Sequence, residues 1–158
     1  MQNTIRHEWS KKLAWCKHIS TQRKQLDPKL HKLYWIIGSK SQLSLENKLL
    51  VCKAILKPIW TDGVQLWGSA SNSNIETLER FQSKVLRIIT DAPRYVPNAV
   101  IKRDIKVPSV RHEVRHCSVT YHQRLNDHPN RMAKSLFQRT HYNRRLKRYY
   151  PADLATRF

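Results

Sequence analysis

Residues 44–67, SLENKLLVCKAILKPIWTDGVQLW, decide the fold. Leu45, Leu49, Cys52, Ile55, Leu56 and Ile59 recur every three or four residues, the period of an amphipathic helix. Ser44 supplies an N-terminal cap, and Glu46 places a carboxylate in the first turn. Leu50 and Val51 widen the apolar face beyond one stripe, which predicts a central helix with partners on both flanks. Pro58 ends or bends that helix, and Trp60, Leu66 and Trp67 follow closely.

Working outward toward the N-terminus, Trp9, Leu13, Cys16 and Ile19 mark one face of a basic helix over about 7–25. Asp27-Pro28 is a helix-start signal, so a second helix is expected, carried by Leu30, Leu33, Tyr34 and Ile37 and closed by Gly38. The segment GSKSQ is then a turn. On the C-terminal side, GSASNSN is a polar loop whose Ser73 or Asn74 caps a helix. Ile75, Leu78, Phe81, Val85, Leu86, Ile88 and Ile89 give that helix a broad apolar side. Two prolines make 93–98 an ordered connector. NAVIKRDI is a short helix, and Pro108 opens another with Val110, Val114, Cys117, Tyr121 and Leu125 on one face. Residues 127–130 form a turn, and Met132, Leu136 and Phe137 a last short helix. No strand ladder or repeat is present in the pattern. The fold class is mainly α, a small multi-helix bundle, divided into 1–67, 68–138 and a basic tail over 139–158.

Thirty Lys and Arg against eleven Asp and Glu leave a net charge of +19. Such an excess points to polyanionic partners, nucleic acid before anionic membrane. Lys11, Lys12, Lys17, Arg23 and Lys24 form one cluster, which Lys29, Lys32 and Lys40 extend. Arg144, Arg145, Lys147 and Arg148 form the densest, interleaved with Tyr142, Tyr149 and Tyr150. Cations of this kind contact phosphate, and tyrosines stack on unpaired bases. The five Trp are expected mainly in the core. The three cysteines, Cys16, Cys52 and Cys117, are too far apart for a zinc pair and odd in number, which fits a reducing compartment, nucleus or cytoplasm. No apolar run is long enough to span a membrane, and no membrane partner is expected.

The sequence His112-Glu113-Val114-Arg115-His116 matches the HExxH pattern of zinc peptidases, with His122 at the spacing of a third ligand. Val119 occupies the glycine position that would turn the chain back, and the surroundings are cationic, so neither a metal nor any other cofactor is expected. Asp62, Asp91 and Asp104 are scattered over turns and helix ends. They do not make the close carboxylate pair of two-metal catalysis. By its residues the chain is a binding module, with a structural interaction module as the alternative and a zinc peptidase behind both.

Several stretches carry a resemblance. LYWIIG, SKSQLSLENKLL, ILKPIWTDGVQLWGSASNSNIETLERFQSKVLRIITDAP, YHQRLNDHPN and RRLKRYYP, in this order, resemble the C-terminal part of the reverse transcriptase of jockey-type non-LTR retrotransposons of insects. The resemblance runs from about Trp9 to Leu154. It implies a polymerase thumb with a helical C-terminal extension, a template–primer duplex as ligand, and an upstream palm as partner. The catalytic aspartates of the family lie in that palm and have no counterpart here, so no polymerase activity is expected of this chain. Three positions depart from the family pattern. Asp62 stands where the family has Tyr, Arg94 where it has Trp, and Pro28 where it keeps a helix-compatible residue. These departures, with no palm in this chain, imply a shortened or decaying copy. An aromatic at position 62 is expected to pack against Trp60 and Leu66, making Asp62→Tyr stabilising.

Overall fold

A computed structural model describes residues 15–135 and Leu154. Among the described residues every regular element is helical: α1 (Cys16–Ile37), α2 (Leu45–Thr61), α3 (Val64–Trp67), α4 (Asn72–Thr90), α5 (Asn98–Asp104), α6 (Val110–Asn126) and α7 (Arg131–Ser135). The mainly α expectation holds. The tail cations Arg144, Arg145, Lys147 and Arg148, with Lys11, Lys12 and Trp9, lie outside the described residues.

The expected break at Asp27-Pro28 does not occur. α1 is one helix with Pro28 inside it. Proline removes a donor and crowds the preceding turn, costing about 3 kcal/mol in a helix interior. Leu26 and Leu30, on either side of it, are both buried and share one inward stripe with Ile19 and Ile37. Burying each such leucine contributes about 1.5–3 kcal/mol. A helix broken at Pro28 would turn one half of that stripe out of register, so packing outweighs the local signal. Arg23 and Asp27, one turn apart, pair across the turn that precedes the proline.

α2 begins where the sequence placed it. The Ser44 hydroxyl accepts from the Asn47 amide at 3.4 Å. The helix runs through Pro58 to Thr61. It packs on both α1 and α4, and part of its apolar surface stays open. Leu56 and Trp60 are buried, while Leu50 is 63% and Ile55 41% exposed. The helix with the broadest buried face is α4. Ile75, Leu78, Phe81, Val85, Leu86 and Ile89 are all buried, and α1, α2, α5 and α6 all pack against it. One apolar cluster extends from Ile19 through Trp67 to Val114 and so draws on both sides of position 67.

Trp67 and Gly68 fasten α3 to α6. Gly63 takes the left-handed conformation, φ 62°, that starts α3. The Trp67 ring is wholly buried, and its indole N–H donates to the Asp62 carbonyl at 2.8 Å. At Gly68 a β-carbon would lie 2.6 Å from Val114 Cγ1 and 2.6 Å from the Val64 carbonyl oxygen. The Leu154 side chain approaches the same point at 3.2 Å and packs on the core.

Two stability changes of opposite sign are expected. Gly68→Ala has no room without moving α6 and should destabilise by about 1–3 kcal/mol, read as a lower thermal midpoint. Pro28→Ala keeps the helix, restores an amide donor facing the Lys24 carbonyl and removes the ring clash. It should stabilise by about 1–2 kcal/mol after the gain in unfolded-chain entropy is subtracted. A lower midpoint for Pro28→Ala would mean that α1 needs the proline.

Candidate nucleic-acid interface

The continuity of α1 arranges its cations. With the inward stripe fixed, positions 17, 21, 24, 28, 31, 32 and 35 fall on the opposite, solvent face. Lys17, Lys24, His31 and Lys32 are all exposed there, and no carboxylate shares the face. Lys29 and Lys40 are exposed as well, Lys29 toward α2 and Lys40 in the turn after α1.

Arg23 is turned inward. Its guanidinium sits 4.7 Å from the Phe81 ring centroid and pairs with Asp27, with the side chain 24% exposed. It is employed in holding α1 on α4. The hydrogen bond from Arg23 holds the Asp27 carboxyl below its ordinary range, and the charges of Arg23 and Lys84 add to the effect. Lys84 lies 3.7 Å from the same carboxylate.

Trp35 departs from the expectation of a core tryptophan. It is 77% exposed, at the far end of the cationic face. Tyr34 beside it is also exposed and lines the groove between α1 and α4 with Arg80, Lys84 and Ile88.

Several charged side chains do internal work with no local sequence signal. Buried Lys48 donates from Nζ to the Gly38 carbonyl at 2.8 Å, a cation at the C-terminus of α1. The Glu79 carboxylate pairs with Lys102 of α5 and accepts the Val110 amide at 2.8 Å, so one side chain on α4 fixes the start of α6. Arg87 donates to Asn98 Oδ1 and the Pro93 carbonyl, both at 2.9 Å, and to the Val96 carbonyl. Arg87 thus anchors the connector. These partners are distant in sequence, so spacing rules do not reach them.

The HExxH residues divide between two faces of α6. His112 and His116 are exposed, and His122 is buried. The Glu113 side chain, 13% exposed, pairs with Lys57 Nζ at 2.8 Å and ties α6 to α2. Among the described residues no three His, Cys, Asp or Glu side chains gather to hold a metal ion. Asp62 is exposed, and its backbone carbonyl, not its carboxylate, is the working group, accepting from Trp67 and from Gln22 Nε2. The premise for Asp62→Tyr, an aromatic packed on Leu66, fails because Leu66 is itself exposed. Among the described residues no helix is long and apolar enough to cross a membrane.

With this geometry in view, the relatives define the class: the chain is homologous to a segment of retrotransposon RNA-directed DNA polymerases. A probable RNA-directed DNA polymerase from transposon X-element of Drosophila melanogaster is 42% identical over 147 residues, 93% of this chain and 16% of that protein. The RNA-directed DNA polymerases from mobile element jockey of Drosophila melanogaster and Drosophila funebris are 35% and 32% identical, over 91% and 92% of this chain and 17% of each relative. More particularly, the chain is similar to the C-terminal segment of jockey-type non-LTR elements, and it spans about one sixth of the length of these relatives. No family model matches it, and no solved structure does.

The cysteines offer a test of the packing around this interface. Burial pushes the Cys52 thiol up to about 11. Cys117 is also raised, first by burial and then by the Glu113 charge. Cys16 is exposed. At pH 8 only about one Cys52 thiol in a thousand is ionised, and the thiolate is the reactive form. Alkylation followed by peptide mass mapping should label Cys16 first and Cys52 last, with Cys52 reacting freely only in denaturant. Equal native rates for Cys16 and Cys52 would contradict the closed contact of α2 on α4.

Proposed function

We propose that this chain is a nucleic-acid-binding, thumb-like part of a retrotransposon RNA-directed DNA polymerase that holds a template–primer duplex and carries no catalytic residues of its own. The observation that carries the reading is the solvent face of α1: Lys17, Lys24, His31 and Lys32 exposed along one unbroken helix, with no carboxylate among them. Side chains that stand free of internal partners keep their full charge available to phosphate, and the net charge of +19 supplies long-range attraction. Phosphate contacts of this kind give binding with weak sequence preference, because base edges are not read. The kinship with polymerases adds the expectation of an RNA–DNA hybrid among the ligands, in the nucleus or cytoplasm. Lys29 and Lys40 belong to the same surface in this reading. Arg23 does not, since Asp27 and Phe81 occupy its guanidinium.

Replacing Lys17, Lys24 and Lys32 together by Gln tests the reading. All three are exposed, so the fold should be retained. Each lost phosphate contact removes roughly 0.9 from the slope of log affinity against log salt. The triple variant should therefore bind an RNA–DNA hybrid more weakly, with a slope shallower by about 2–3. A charge-matched control with Lys53, Lys106 and Arg124, exposed on other elements, should change it less. Equal slopes for the triple variant and the unaltered chain would place the nucleic acid elsewhere or remove it.

A further inference from the structure

The cationic face of α1 ends on an aromatic ring. Trp35 is 77% exposed, and it lies one helical turn beyond His31 and Lys32 on the same face. At about 1.5 Å of rise per residue, His31 and Lys32 are about 5–6 Å from it along the axis, and Lys24 about 16 Å. A single exposed apolar side chain is unremarkable. This one stands in register with a row of cations, and its helical neighbours His31 and Lys32 are exposed and polar.

That setting decides between two kinds of partner. Protein interfaces are depleted in lysine at their centres and surround an aromatic anchor with other packed side chains. Around Trp35 the solvent face offers Lys24, His31 and Lys32 instead. An indole beside phosphate-binding cations suits nucleic acid. A base inside a duplex presents its faces to its neighbours, so only an unpaired or terminal base has a face free to stack. Tyr34, the preceding residue, is exposed toward the α1–α4 groove, where Arg80 and Lys84 provide a path for the backbone of such a strand. Both cations are only loosely paired, at 3.7 Å from Glu76 and Asp27 respectively.

We propose that Trp35 is a stacking platform for an unpaired nucleotide adjoining the duplex, so that α1 reads the junction between paired and single-stranded nucleic acid. The proposal rests on the nucleic-acid reading above and adds to it a preference for a junction over a blunt end. Stacking contributes energy without charge, so it separates cleanly from the phosphate contacts.

The test uses the full chain and two probes, a blunt RNA–DNA hybrid and the same hybrid with a short unpaired extension. The unaltered chain should bind the extended probe about tenfold more tightly, the scale of one aromatic stack on one base. Trp35→Ala should abolish that preference, leaving blunt-duplex affinity and the salt slope unchanged. Trp35→Phe should restore most of it. Thermal melts should be alike for the three proteins, because the side chain is exposed. If Trp35→Ala binds both probes as the unaltered chain does, or weakens both equally, the platform is refuted while duplex binding stands. If the unaltered chain binds neither probe, the nucleic-acid reading itself falls, and Trp35 with it. If Trp35→Ala leaves both affinities intact but disrupts self-association, Trp35 serves a protein contact and the proposal is wrong.

Discussion

The buried face of α4 sets the terms for the other helices. Six large apolar side chains, Ile75 through Ile89, must be removed from water, and they spread too widely around the helix for one neighbour to cover them. α1, α2, α5 and α6 all pack against it. At about 1.5–3 kcal/mol per buried side chain, this demand exceeds any local preference in the chain. It is the reason that α1 passes through Pro28 unbroken. It also explains why Arg23, a natural phosphate ligand by type, folds back over Phe81.

The polar side chains at the rim of that face then fix angles that apolar packing leaves loose. Glu79 reaches from α4 to Lys102 and to the first amide of α6. Arg87 gathers three acceptors of the connector. Lys57 and Glu113 join α2 to α6. Each of these ions has a fixed partner, and together they use up several members of the charged complement. Lys17, Lys24 and Lys32 are left exposed on the solvent face of α1, because the inward stripe of that helix is fixed by its packing on α4. The HExxH motif illustrates the same logic. Its glutamate is taken by Lys57, and its histidines remain exposed on another face of α6.

Pairing has a consequence for acid stability. Asp27 gains its hydrogen bond from Arg23 only when folded, so its carboxyl titrates lower in the native chain than in the unfolded one. The contribution is complete above the unfolded carboxylate range and fades as pH falls through the lower native value. The Asp27 carboxylate is about half exposed, so solvent screens the pair and its weight is modest. Its larger role is to orient the guanidinium over Phe81 while closing the turn before Pro28.

The helical class, the start of α2 at Ser44, the inward residues of α4 and the turn at 127–130 were all legible in the sequence, because each depends on neighbours within one or two turns. Periodicity and capping report such short-range chemistry faithfully. The kinship with retrotransposon polymerases was equally legible, in the order of its motifs. Tertiary structure alone decided four things: that α1 is one helix, that α4 and not α2 carries the broadest buried face, that Arg23 points inward, and that Trp35 points outward. A leucine or tryptophan carries the same pattern whether or not a neighbour arrives to cover it. Which face is covered depends on contacts between residues far apart in the chain, such as Gln22 with Asp62, Lys57 with Glu113 and Gly68 with Val114. Those contacts exist only once the helices have met.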